Sequence, residues 1–202
     1  LYDLDAALKE IEEGTKIAEE LEPYVSGVMS MFNGETNVDL NNDFVVFGIK
    51  DLEEGMRELA MFVCLEYVWN KIKSGNKERM LLTVDEAWML MNNKYSRMFM
   101  EKVAKTARKF NAGLSVITQN IKDFMENGGE GIINNTSMQI LLKQKHNEIH
   151  YLEEVLHISE SEKTILKTID VGEALIYAGQ NKTLIDVISD EYEHQLCDTS
   201  GG

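Results

Sequence analysis

The sequence predicts a three-layer α/β domain built on a mainly parallel sheet. Between residues 44 and 157 short apolar runs alternate with segments of helical periodicity, the order that βαβ units require. The run Met80-Leu81-Leu82-Thr83-Val84 is apolar or β-branched throughout, which predicts a strand buried on both faces. It leads directly into two carboxylates, Asp85 and Glu86. Parallel sheets take their ligands at the carboxyl ends of the strands, and the acid pair stands at such an end.

Residues 3–22 open the chain with Leu4, Leu8, Ile11, Ala18 and Leu21 at helical spacing. Gly14 weakens the middle of that helix, and Pro23 and Gly27 mark its exit. Asn33-Gly34 reads as a turn and residues 36–40 as a short strand. Residues 44–49 hold no polar side chain and predict a strong strand. Asp51, Glu53 and Glu54 place negative charge at the start of a helix over about 55–73, which buries Leu59, Phe62, Val63, Tyr67, Trp69 and Ile72.

After the acid pair a helix is expected over about 95–110. Phe99, Val103, Ala107 and Phe110 form its inward stripe. Arg97, Lys102, Lys105, Arg108 and Lys109 lie mostly off that stripe, as a solvated face or a basic channel lining. Asn111-Ala112-Gly113 turns the chain into a strand over 114–118 that ends in Gln119. Gly128, Gly129 and Gly131 predict a flexible loop, and residues 137–144 a fourth strand. Ile149, Leu152, Val155 and Leu156 mark a helix, and Ser159 with Glu162 matches a capping box before the next. Residues 174–178 and 183–188 read as a hairpin that adds antiparallel strands at an edge.

With 202 residues, 44% hydrophobic and 27% charged, the chain suits one full core. No apolar run approaches the roughly 20 residues of a membrane span, and no signal peptide opens it. It begins without Met, within a helical pattern, and reads as a fragment. Cys64 and Cys197 give no metal spacing and suit a reducing compartment. His146 and His150 are four apart, with no third ligand at a metal-site spacing. The net charge of −15 is uneven: residues 1–30 carry −6, 150–202 carry −8, and 80–145 carry +3. Bulk attraction to nucleic acid is excluded, so a polyanion contact has to fall on the central segment.

Two ionised side chains at the edge of a buried strand are costly unless a metal ion or a polarised water balances them. By itself the pattern fits either an acidic turn or the Walker B element that it resembles, in which one carboxylate holds Mg²⁺ and the next orients the attacking water. Gln119 ends the following strand and is expected on the same rim. Arg108 sits at the end of the helix between them, and acid pair, amide and guanidinium are expected to gather along a single rim of the sheet. An amide can contact a γ-phosphate, and a guanidinium can stabilise charge on a transferring phosphoryl group.

The spans Asp85-Glu86-Ala87-Trp88, Thr106-Ala107-Arg108-Lys109, Asn111-Ala112-Gly113 and Thr118-Gln119, in this order and spacing, resemble the large ATPase of type IV secretion and conjugative DNA-transfer systems. This family is related to hexameric DNA-pumping motors. The resemblance covers roughly residues 20–190 and implies a P-loop NTPase (RecA-like) motor core with ATP and Mg²⁺ as cofactors. It implies that Asp85 holds Mg²⁺ through water, Glu86 is the catalytic base, Gln119 senses the γ-phosphate, and Arg108 reaches a neighbouring subunit's nucleotide. Trp88 would pack beside the site in a structural role.

Residues 1–30 resemble the end of an inserted all-helical domain, 31–190 the C-terminal part of the motor, and 191–202 a disordered tail. The implied partners are further copies of the chain, as a hexamer, and inner-membrane components of the secretion channel, with DNA or protein as substrate. The implied location is the cytoplasmic face of the membrane. One departure stands out: no Gly-x-x-x-x-Gly-Lys-Ser/Thr occurs anywhere, so the P-loop unit is lacking. The fragment alone is therefore expected to bind nucleotide very weakly and to be inactive. The alternative is a non-catalytic interaction module that docks secretion-machine partners through its acidic ends.

Overall fold

The structure, a computed structural model, describes residues 1–35, 42–49, 51–74 and 79–197. The chain divides into two compact units, residues 1–61 and 62–202.

In the first unit, α1 (Tyr2–Lys9) and α2 (Thr15–Val25) pack together. The expected single helix breaks at Gly14, where a Cβ would lie 2.4 Å from the Leu8 carbonyl oxygen. Only glycine allows the two helices to approach so closely there. Asp5 is buried at this packing and pairs with Lys9 at 2.6 Å. α2 runs two residues past Pro23, whose carbonyl accepts from Met29 N–H at 3.1 Å.

The strand expected over 44–49 is not formed. These residues have no regular structure, and Phe44 and Val46 are 85% and 72% exposed. An extended segment becomes a strand only by pairing with a neighbour, and no strand pairs with it among the described residues. The strand expected over 36–40 falls outside the described residues. The helix that follows forms as α3 (Glu54–Ser74) and buries Trp69 and Ile72, but Phe62 and Val63, expected inside, are 50% and 47% exposed, because they lie on the side of the helix turned away from that core.

In the second unit, β1 (Met80–Val84) leads through α4 (Trp88–Met91) and α5 (Lys94–Thr106) to β2 (Ala112–Val116). β1 and β2 are parallel, with Met80 opposite Ala112 and Val84 opposite Val116. Trp69 and Ile72 of α3 join Val103, Ala107 and Ala112 in a core against Met80, Leu82 and Leu114. Phe99 and Phe110 meet the Trp69 ring edge-on, with centroids 6.2 and 5.6 Å away. β1 is not buried on both faces as expected. Met80 and Leu82 face the helices, whereas Leu81 is 71% exposed. Alternation along a strand sends every second side chain to the uncovered face.

Beyond β2 the chain forms α6 (Ile121–Glu126) and α7 (Glu130–Ile133) where a flexible loop was expected. The glycines make a tight corner instead. A Cβ on Gly129 would meet the buried Phe124 ring at 2.3 Å. β3 (Met138–Leu141) follows, then α8 (Ile149–Leu156), α9 (Glu160–Thr168), and the hairpin of β4 (Glu173–Ala178) and β5 (Asn181–Asp186).

β3 does not extend the parallel pair. It pairs antiparallel with β4, giving a second sheet in the order β3-β4-β5. Leu141, Leu152, Leu166, Leu175 and Tyr177 form its core against α8 and α9. The α/β class thus stands, with the strands divided between a parallel pair and an antiparallel three-stranded sheet. Residues 191–197 are not a disordered tail but α10 (Glu191–Cys197). Asp190 caps this helix. Its carboxylate accepts from Glu193 N–H at 2.7 Å, and Glu193 accepts from Asp190 N–H at 3.2 Å.

Candidate active site

Two backbone hydrogen bonds extend the parallel ladder past its last paired residues. Ile117 N–H donates to the Val84 carbonyl at 2.9 Å, and Ala87 N–H donates to the Ile117 carbonyl at 3.0 Å. They hold the segments after β1 and β2 side by side, which puts Asp85, Glu86 and Gln119 on the carboxyl rim of the pair. The Gln119 amide Nε2 donates to Glu86 Oε1. The Trp88 indole Nε1 donates to Glu86 Oε2 at 2.8 Å. Both oxygens of one carboxylate are therefore engaged.

Glu86 adopts φ +48°, in the left-handed region that costs a non-glycine residue about 1–2 kcal/mol. Its backbone N–H donates to Asp85 Oδ1 at 2.9 Å. This turn directs the Glu86 side chain back over the rim, while Asp85 remains exposed.

Arg108 is not on this rim. It lies in the single 3-10 turn Ala107–Phe110 that ends α5, just before Asn111 (φ +57°) turns the chain into β2. A parallel crossover leaves one strand at its carboxyl end and must enter the next at its amino end. Arg108 therefore belongs to the opposite edge. Five residues of β2, about 16 Å at strand rise, separate the two edges. The gathering of acid pair, amide and guanidinium along one rim holds for Gln119 and fails for Arg108.

Of the other basic residues on α5, Lys102 sits 4.6 Å from the Trp69 ring centre and Lys105 pairs with Glu101 at 3.5 Å. The indole donor of Trp88 is the contact that sequence reasoning missed, because spacing alone does not show that a left-handed Glu86 returns its carboxylate toward residue 88.

No group of three or more His, Cys, Asp or Glu side chains capable of holding a metal ion occurs among the described residues. One exposed carboxylate, Asp85, suits Mg²⁺ that keeps several waters and takes phosphate oxygens as further ligands, not an ion caged by protein alone. The lysine and glycine-rich backbone cradle for phosphates are not in the sequence. The residues present therefore fit the γ-phosphate side of a magnesium nucleotide.

An acid pair and an amide on the carboxyl rim of a parallel β pair, in an α/β domain, fit the Walker B side of a P-loop NTPase. The profile of the TraG P-loop domain matches residues 13–195, and the chain belongs to that family, the ATPases of conjugative and type IV secretion systems. The structure of VirB4 from Thermoanaerobacter pseudethanolicus superposes with a TM-score of 0.79 and 28% identity, over 96% of this chain and 55% of that one. The DNA double-strand break repair helicase HerA of Sulfolobus acidocaldarius is 31% identical over 134 residues, which are 63% of this chain and 26% of HerA. The DNA-packaging ATPase B204 of Sulfolobus turreted icosahedral virus, at 18% identity and a TM-score of 0.55, shares the fold over 81% of this chain and 78% of its own. The chain thus spans about a quarter of the HerA length and just over half of VirB4.

Proposed function

We propose that this chain is the C-terminal part of an ATPase motor that hydrolyses ATP to power type IV secretion or conjugative transfer. The observation that carries the reading is the contact of Gln119 and Trp88 with the Glu86 carboxylate on the rim where a nucleotide would sit. Glu86 is the general base that orients the attacking water and takes its proton. Gln119 holds that base until it turns to the γ-phosphate. Asp85 holds Mg²⁺ through water. When bound, magnesium ATP supplies the phosphoryl group and the charge that polarises it. Arg108 acts on the nucleotide of a neighbouring copy in an oligomer, with six copies as the expected number. The phosphate cradle is not in these 202 residues, which by themselves are inactive.

Among the described residues no helix is long and apolar enough to cross a membrane. The reading places the motor at the cytoplasmic face of the membrane through partner proteins of the secretion channel.

The test joins this chain to a family phosphate-loop segment and measures ATP turnover. Glu86→Gln is expected to lower kcat by at least about a hundredfold, the usual contribution of a general base, with nucleotide still bound. Full turnover in Glu86→Gln removes the assignment.

A further inference from the structure

Trp88 is one of two tryptophans in the chain. Its indole N–H donates to Glu86, the residue read as the base. The two donors to Glu86 are held differently. Trp88 opens α4, in which Leu90 and Met91 are buried, and the buried Ala87 just before it has its N–H tied to the Ile117 carbonyl. The indole is half-buried on that anchored turn. Gln119 is exposed, on the segment after β2, and its amide turns on its own side-chain torsions. An indole N–H is a donor only, so it cannot take the proton that a base removes from water, nor bind water as an acceptor.

We propose that Trp88 is a positioning residue for Glu86. Its indole N–H fixes one carboxylate oxygen, so that the other faces Gln119 and, once Gln119 turns to phosphate, the attacking water. The left-handed backbone of Glu86 is sustained by the same bond. A charge-assisted hydrogen bond is of the same order as the strain of one residue at positive φ. This inference rests on the reading of Glu86 as the general base.

The first test needs no activity. The chain labelled with ¹⁵N-tryptophan gives two indole signals, from Trp69 and Trp88, told apart by Trp69→Phe. Glu86→Gln replaces a charged acceptor with a neutral one. It is expected to move the Trp88 signal upfield and leave Trp69 in place. A Trp88 signal unmoved by Glu86→Gln overturns the proposal.

The second test uses the form joined to a phosphate-loop segment. Phenylalanine fills most of the indole's space but has no N–H, so Trp88→Phe is expected to lower kcat about tenfold with KM unchanged. Unchanged kcat in a folded Trp88→Phe protein overturns the positioning role. If that variant does not fold, the indole shift, read with Trp88 in place, still decides. Full turnover in Glu86→Gln overturns the reading of the base, and with it any use of the clamp, whatever the indole shift shows.

Discussion

At Glu86 and Asn111 the backbone enters the left-handed region, and each does something different there. At Glu86 the turn returns a carboxylate to the rim. At Asn111 it ends the helical crossover and starts β2, with Asn111 N–H donating to the Arg108 carbonyl at 3.3 Å. Asparagine tolerates this conformation, whereas a β-branched residue does not. Asn111→Val is therefore expected to destabilise the chain by about 1–2 kcal/mol more than Asn111→Gly, which has no Cβ to clash at positive φ. Urea unfolding of both variants checks this, and equal losses would mean that the asparagine side chain matters more than its φ. Much at this scale was readable in advance. Strand polarity alone places Asp85, Glu86 and Gln119 on one rim, since they follow strands of the same direction. The indole contact was hidden, because it depends on a single backbone angle that no local pattern encodes.

Caps are the most readable feature among the elements, because three residues decide them. Ser159 and Glu162 form the capping box their spacing predicts: Ser159 N–H donates to Glu162 Oε2 at 2.6 Å, and Glu162 N–H to Ser159 Oγ at 3.4 Å. Asp190 and Glu193 have the same spacing and form the same reciprocal bonds, and they start α10 where a disordered tail is expected. Strands were less readable, because a strand needs a partner and the partner is far away in sequence. Residues 44–49 have the composition of a strand and no ladder among the described residues; of 137–144, residues 138–141 have both, but the ladder is to β4 and not to β2.

Glu162 also joins α9 to the hairpin, where Lys182 of β5 pairs with it at 2.9 Å and lies over the Tyr177 ring. Burial alone would raise its pKa. The Ser159 backbone N–H, the Lys182 ammonium and the Ser159 hydroxyl together outweigh burial and hold the carboxyl at about 2, below its ordinary 4.5. A group with a lowered folded pKa contributes its stability fully above the unfolded value and loses it as pH falls through the folded one. Between pH 4.5 and about 2, roughly 2–3 kcal/mol of stability should be lost through this group. Thermal unfolding of the wild type and Glu162→Gln across that range reads it. The variant should start less stable and converge on the wild type toward pH 2. A constant gap between the two would assign the effect to other carboxylates.

For the molecule as a whole, the decisive fact is that one crossover separates Arg108 from Gln119. β2 runs from the edge that carries Arg108 to the edge that carries the Glu86–Gln119 contact, and an arginine side chain does not span the roughly 16 Å of strand between them. Arg108 therefore cannot serve the site of its own chain. If it stabilises charge on a phosphoryl group, that group is bound to another copy, and the oligomer becomes part of the catalytic unit. The shared rim expected for the guanidinium conflicts with this topology. The spacing of 11 residues to Gln119 is correct, but a full strand lies within it. In the form joined to a phosphate-loop segment, Arg108→Ala should lower turnover by at least about a thousandfold, the lower end of the range known for such arginines. Mixing it with Glu86→Gln then separates the two geometries. In a mixed oligomer some interfaces pair an intact Glu86 site with an intact Arg108 from the other variant, so two inactive proteins should recover a fraction of wild-type turnover. Measured turnover that stays at the level of either variant alone, with mixed oligomers shown to form, would leave Arg108 with no role across the interface.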